Sequence, residues 1–123
     1  MMTSKDIETY VDFREKFIQE CKRVCNEMQR FDYDYIFLET FEVDANTVTG
    51  EGEEHLWGGE VETVYQSFPI ELLELSNDEL KQYVDDLIKE KENEEKRNKQ
   101  FTEERQRAYD LAEFNRLKEK LGL

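Results

Sequence analysis

The chain has 123 residues and a mass of 14.9 kDa, room for one modest core and none for a multidomain enzyme. Charged residues make up 39%, yet eight Phe, six Tyr and one Trp are too many for a disordered chain. With 31 acids against 17 bases the net charge is −14, which disfavours bare nucleic acid and anionic membrane and favours a cationic partner.

No apolar run approaches the ~18–20 residues of a membrane span. Asp6 and Glu8 stand where a secretory leader would be basic and then apolar, so a soluble, cytoplasmic protein is expected. From Ser4 to Arg30 apolar residues recur at helical spacing. Ile7, Cys21 and Met28 share one heptad position, interrupted by Arg14; Tyr10, Phe17, Val24 and Phe31 share the position three later. Val11, Ile18 and Cys25 widen the stripe to about three positions in seven, a face suited to packing on a sheet or bundle. Thr3 or Ser4 supplies the N-cap, with Asp6 and Glu8 against the positive end of the helix dipole. Cys21 and Cys25, the only cysteines, point to one face of this helix, where a disulfide is geometrically awkward. They read as reduced core residues. The other reading, a metal half-site shared across a dimer, lacks a nearby histidine, because the sole His55 lies in a different element.

At Tyr33 the period changes to two. One strand is expected from Tyr33 to Val43, with Tyr33, Tyr35, Phe37, Phe41 and Val43 on one face and Ile36, Leu38, Thr40 and Glu42 on the other. Asp44-Ala45-Asn46-Thr47 reads as a four-residue hairpin loop, and Val48 to Glu51 as a second strand that Gly50 and Gly52 mark as a bulge or an edge. Trp57-Gly58-Gly59 is the next turn, and a third strand runs from Val61 to Ser67-Phe68-Pro69, completing an antiparallel meander. Pro69 opens a helical turn through Ile70–Leu73. Ser76-Asn77-Asp78-Glu79 is a capping box, and Leu80, Tyr83, Val84, Leu87 and Ile88 give the following helix its apolar face.

The twelve residues from Lys89 to Gln100 contain no apolar side chain, and pairs such as Glu92 with Lys96 favour a solvated helix. Phe101, Ala108, Leu111, Ala112, Phe114, Leu117 and Leu121 then restore an apolar stripe. A helix unbroken from Asn77 to Lys120 would be about 65 Å long, so the tail needs a second copy, a return fold after a break near Asn98 to Thr102, or another protein. Residues 1–88 are therefore expected to form a compact domain and residues 89–123 a charged helical extension. Phe101, Ala108, Leu111, Phe114, Leu117 and Leu121 are the candidates for homo-oligomerisation.

The charge is unevenly placed. Residues 1–30 balance six bases with six acids, whereas Phe31 to Leu80 holds fourteen acids and no Lys or Arg. Repulsion within one small sheet opposes folding. Acidity for solubility alone is one explanation; the functional one is that carboxylates along twisted strands imitate a phosphate array. On that reading Glu39, Glu42, Glu51, Glu53, Glu54, Glu60 and Glu62 supply charge to a basic protein surface, and Trp57 with exposed tyrosines supplies contact area. Trp57 alternatively pins its turn to the core. No phosphate loop, nucleophile elbow, zinc-protease motif or C-x-x-C is present, the acids follow no EF-hand pattern, and His55 beside Glu53 and Glu54 reads as a solvent-facing loop residue. No catalytic residue, metal or cofactor is assigned.

Thr40-Phe41-Glu42-Val43, Gly50-Glu51-Gly52-Glu53, Trp57-Gly58-Gly59-Glu60, Ser67-Phe68-Pro69, the Ser76-Asn77-Asp78-Glu79-Leu80 helix start and the ending Leu117-Lys118-Glu119-Lys120 together resemble a group of small acidic phage and prophage proteins, over residues 35–123. That resemblance implies a phage context and no particular chemistry. Small acidic phage proteins include anti-CRISPR-like inhibitors of host defence nucleases that act as nucleic-acid mimics. The expectation is thus an α+β fold and a non-enzymatic protein that binds a host nuclease or other nucleic-acid-binding protein, not nucleic acid or membrane directly. The alternatives are a phage assembly protein that oligomerises through its helices, and a small hydrolase with an unrecognised acid pair.

Overall fold

A computed structural model describes residues 1–122 and has an α+β fold: an N-terminal helix, a three-stranded antiparallel sheet and a long C-terminal helix. Helix α1 spans Ser4–Met28. Thr3 caps it reciprocally: its hydroxyl accepts from the Asp6 N–H at 3.1 Å, and its own N–H donates to the Asp6 carboxylate at 3.0 Å.

The expected strand from Tyr33 does not begin there. Tyr33–Phe37 is a 3₁₀ turn, and strand β1 is only Leu38–Asp44. Asp32 is the cause, because its carboxylate accepts from the Asp34 N–H at 3.0 Å and starts the turn as a cap. The result brings the Tyr33 and Phe37 rings within 5.6 Å edge to face, a contact that two residues four apart in an extended strand cannot make.

Strand β2 (Thr47–His55) is the central strand, paired with β1 on one side and with β3 (Val61–Pro69) on the other. It is longer than expected, and the β1–β2 loop is shorter: Asp44 pairs with Thr47, leaving Ala45 and Asn46 as a two-residue turn with Ala45 at φ 52°. Gly50 and Gly52 lie at neither edge nor turn. They are buried on the inner face of β2, opposite a bulge in β1 where the register slips between Leu38 and Thr40.

A second 3₁₀ turn, Ile70–Glu74, follows Pro69, and helix α2 spans Asn77–Leu121. The Ser76 capping box forms as expected, with both reciprocal hydrogen bonds at 3.2 Å. The core is Cys21, Val24, Cys25 and Met28 from α1, Leu38, Val48, Val64 and Phe68 from the sheet, Tyr35 and Leu72 from the two turns, and Leu80 and Val84 from the start of α2. Arg23 joins α1 to the following elements by hydrogen bonds to Asn77 (3.1 Å) and to the Leu73 carbonyl (3.3 Å); Arg30 pairs with Asp85.

Only the C-terminal half of the α1 stripe is buried, contrary to the expectation that Ile7 and Phe17 pack on the sheet with Val24 and Met28. Ile7 and Tyr10 are exposed and Phe17 is half-buried. Helix α1, about 37 Å long, outruns a core to which it contributes Cys21, Val24, Cys25 and Met28.

The chain divides into two compact units, Met1–Asp86 and Leu87–Leu123. In the second, helix continues through 98–102 without the break that would let the tail return; the Thr102 hydroxyl donates to the Asn98 carbonyl at 2.9 Å within the ladder.

Candidate interaction surface on the sheet

Strand alternation assigns each acid to a face. The outward residues of β1 are Thr40, Glu42 and Asp44; those of β2 are Thr47, Thr49, Glu51, Glu53 and His55; those of β3 are Val61, Thr63, Tyr65, Ser67 and Pro69. All are exposed. This face therefore carries Glu42, Asp44, Glu51 and Glu53 and no Lys or Arg. No two of these carboxylates sit directly across from one another. Glu42 opposes Thr49, and Glu51 lies between Thr40 and Tyr65 while Glu53 faces Thr63. Across the strands a hydroxyl-bearing residue therefore faces each carboxylate, whereas along them Glu42 and Asp44, and Glu51 and Glu53, are successive positions of one face about 7 Å apart. Tyr65 donates its hydroxyl to a Glu51 carboxylate oxygen at 3.4 Å, and Thr40 donates to the Glu51 carbonyl at 3.4 Å.

The remaining predicted residues fall elsewhere. Beyond Gly52, β2 and β3 continue as a two-stranded ribbon without a partner from β1, because the first β1 pair is Leu38 with Gly52. Gly58 and Gly59, both at positive φ, carry the turn at its tip, and the Leu56 N–H closes it on the Glu60 carbonyl at 2.8 Å. Trp57 stands fully exposed at this tip, so it does not pin the turn to the core. Glu60 adjoins it. Glu54 and Glu62 oppose each other on the ribbon's other face, and Glu39 lies in the β1 bulge, 4.0 Å from Lys22 of α1. Glu39, Glu51 and Glu53 line a shallow cleft with Thr40, Gly52 and His55. Asp44 and Tyr65 belong to the outer face and were not singled out in the sequence; the alternation from Thr40 and Glu42 already points to Asp44.

The tail residues form two patches and no single stripe. At about 100° per residue, Phe101 and Ala108 project from one side of α2, Phe114, Leu117 and Leu121 from nearly the opposite side, and Leu111 from between them. The grouping of neighbours agrees: Phe101 gathers with Thr102, Arg105 and Tyr109, and Phe114 with Leu117, Lys118 and Leu121.

Nucleophilic chemistry has little support in the core. Burial pushes the Cys21 thiol up to about 11 and Cys25 up to about 12, with Glu20 and the neighbouring thiol adding to the effect. Among the described residues no three His, Cys, Asp or Glu side chains gather into a metal-binding group, and no helix is long and apolar enough to cross a membrane. No protein-family model matches this chain, and no curated protein or solved structure matches it either.

Proposed function

We propose that this is a non-enzymatic binding protein of phage origin that presents its acidic sheet face to a basic, nucleic-acid-binding host protein. The observation that carries the reading is the grid of Glu42, Asp44, Glu51 and Glu53 on adjacent strands, spaced by threonine and tyrosine and unaccompanied by any Lys or Arg between Phe31 and Leu80. Regularly spaced carboxylates on a twisted surface reproduce what a phosphate-binding channel recognises: repeated negative charge at fixed intervals. Trp57, fully exposed at the tip of a narrow ribbon, adds the aromatic anchor that charge alone does not provide.

The test is capture from a bacterial host lysate by the full-length chain at low salt, beside a Glu42→Lys, Glu51→Lys, Glu53→Lys variant. The expected result is retention of a nucleic-acid-binding protein that duplex DNA displaces, that salt elutes, and that the triple variant does not hold. Retained proteins that the variant holds equally, or that DNA does not displace, would remove the sheet face from the function.

A further inference from the structure

The N-terminal half of α1 presents a large apolar surface that the sheet leaves uncovered. Ile7 is 52% exposed, Tyr10 60% and Phe13 68%, and Val11 is 45% exposed beside them. Together these side chains expose on the order of 500 Å² of apolar surface, near the upper limit for a monomer and a large part of the ~800 Å² per partner of a stable interface. Tyr10, Phe13, Arg14 and Phe17 form one wall of a groove there; Phe41, Val43, Ile70 and Leu73 form the other. The buried stripe of Cys21, Val24 and Met28 continues directly into this groove.

The spacing along the helix says what fits. Ile7, Tyr10, Arg14 and Phe17 are separated by three, four and three residues, a palindrome. Read from the opposite direction, the helix offers the same pattern, so a second copy laid antiparallel about a two-fold axis level with Asp12 sets Ile7 against Phe17 and Tyr10 against Arg14 in complete layers. On the flanks, Phe13 meets its own counterpart near the axis, and Val11 does the same on the other side. Arg14 is the one charged residue lining the groove, whose other wall carries no charge, and the two-fold sets its guanidinium against the Tyr10 ring of the second copy, a cation–aromatic pairing. A single polar residue in an apolar seam also fixes register.

We infer that the protein forms a two-fold dimer through the N-terminal half of α1, with the α1 helix of a second copy seated in this groove. This surface is separate from the acidic face, and its test does not depend on the proposed host partner. The full-length chain is measured by analytical ultracentrifugation from 5 to about 200 µM, beside a Tyr10→Glu, Phe13→Asp variant and a Leu117→Glu, Leu121→Glu variant. Because all four positions are exposed, folding is preserved, and circular dichroism verifies it.

The expected result is twice the 14.9 kDa chain mass for the parent and the tail variant, and a dissociation constant at least about 100-fold weaker for the α1 variant. Register is read by oxidation: Phe13→Cys links to its own counterpart near the axis. Ser4→Cys, about 24 Å from its counterpart in an antiparallel pair, does not. A monomeric parent at all concentrations overturns the inference, as does a dimer that survives the α1 substitutions, one lost with the tail substitutions, or efficient Ser4→Cys cross-linking.

Discussion

A methyl group on Gly52 would lie 1.7 Å from the Phe37 carbonyl oxygen and 3.0 Å from the Leu38 Cα, both backbone atoms that no rotamer can move aside. The 3₁₀ turn and the β1 bulge are laid directly on this glycine, so Gly52→Ala is expected to destabilise the fold by about 3 kcal/mol or more. Urea denaturation followed by far-ultraviolet circular dichroism measures it, and a midpoint within error of the parent would contradict the close approach. The buried acids of the core make a second prediction. Cys21, Cys25 and Tyr35 are held protonated by burial, with Tyr35 pushed up to about 12 while its hydroxyl donates to the Ser67 carbonyl at 2.5 Å. In the unfolded chain the thiols ionise near 9.0 and the phenol near 10.0. The unfolded state therefore releases protons first as pH rises. The stability these groups contribute is complete below pH 9 and is lost as pH climbs through 11 to 12. A urea midpoint that falls above pH 9, and falls less in a Cys21→Ala, Cys25→Ala double variant, is the expected outcome; identical slopes would exclude the thiols as its source.

At the level of elements, what the sequence made legible was whatever depends on neighbours a few residues apart. The capping boxes at Thr3 and Ser76, the meander, the turn after Pro69 and the helical run through Lys89–Gln100 are local, and each could be read from spacing and side-chain chemistry. The misreading at Tyr33–Phe37 arose because alternate aromatics satisfy a period of two, and only the Asp32 cap breaks the tie in favour of a turn. Gly50 and Gly52 point to a bulge or an edge; the bulge is there, but in the neighbouring strand β1, for which these glycines make room, and composition does not reveal which strand carries it. Periodicity finds an apolar face but not how much of it is covered, so the exposed half of α1 was invisible. The outer acidic face was legible once alternation was followed, but Glu54 and Glu62 were grouped with it although they lie opposite each other on the ribbon's other side. That pair carries its own prediction. Like charges directly across an antiparallel ladder repel, so Glu62→Lys is expected to stabilise the ribbon by about 0.5 kcal/mol. Hydrogen exchange of the β2–β3 amides beyond Gly52 should slow. Unchanged or faster exchange would mean that solvent already screens the pair.

For the whole molecule the question is whether the acidity is an incidental surface property or a feature maintained against folding. Ion pairs compensate little of it: those involving Arg23 and Arg30 lie among α1 and the first turns of α2, and among the described residues Glu39 is the one sheet acid that pairs with a Lys or Arg, Lys22 at 4.0 Å. Exposed pairs of this kind contribute at most about 1 kcal/mol each and weaken with salt. Fourteen acids without a base over fifty residues repel one another in the folded state more than in the expanded chain, and salt weakens that repulsion as well. The repulsive term is more extensive, so the melting temperature should rise between 20 mM and about 0.5 M NaCl, where the Debye length shrinks to a few ångströms. A gain near 1 kcal/mol corresponds to roughly 4–8 °C for a domain of this size. The Glu42→Lys, Glu51→Lys, Glu53→Lys variant sharpens the test, because reversing these charges relieves the same repulsion without salt. Its melting temperature in 20 mM NaCl should approach the value the parent reaches only at high salt, and its own salt dependence should flatten. A variant that melts no higher than the parent would show that solvent already screens the repulsion on this face. A variant that is more stable and no longer captures its partner would identify the outer face as a surface on which stability is sacrificed for binding.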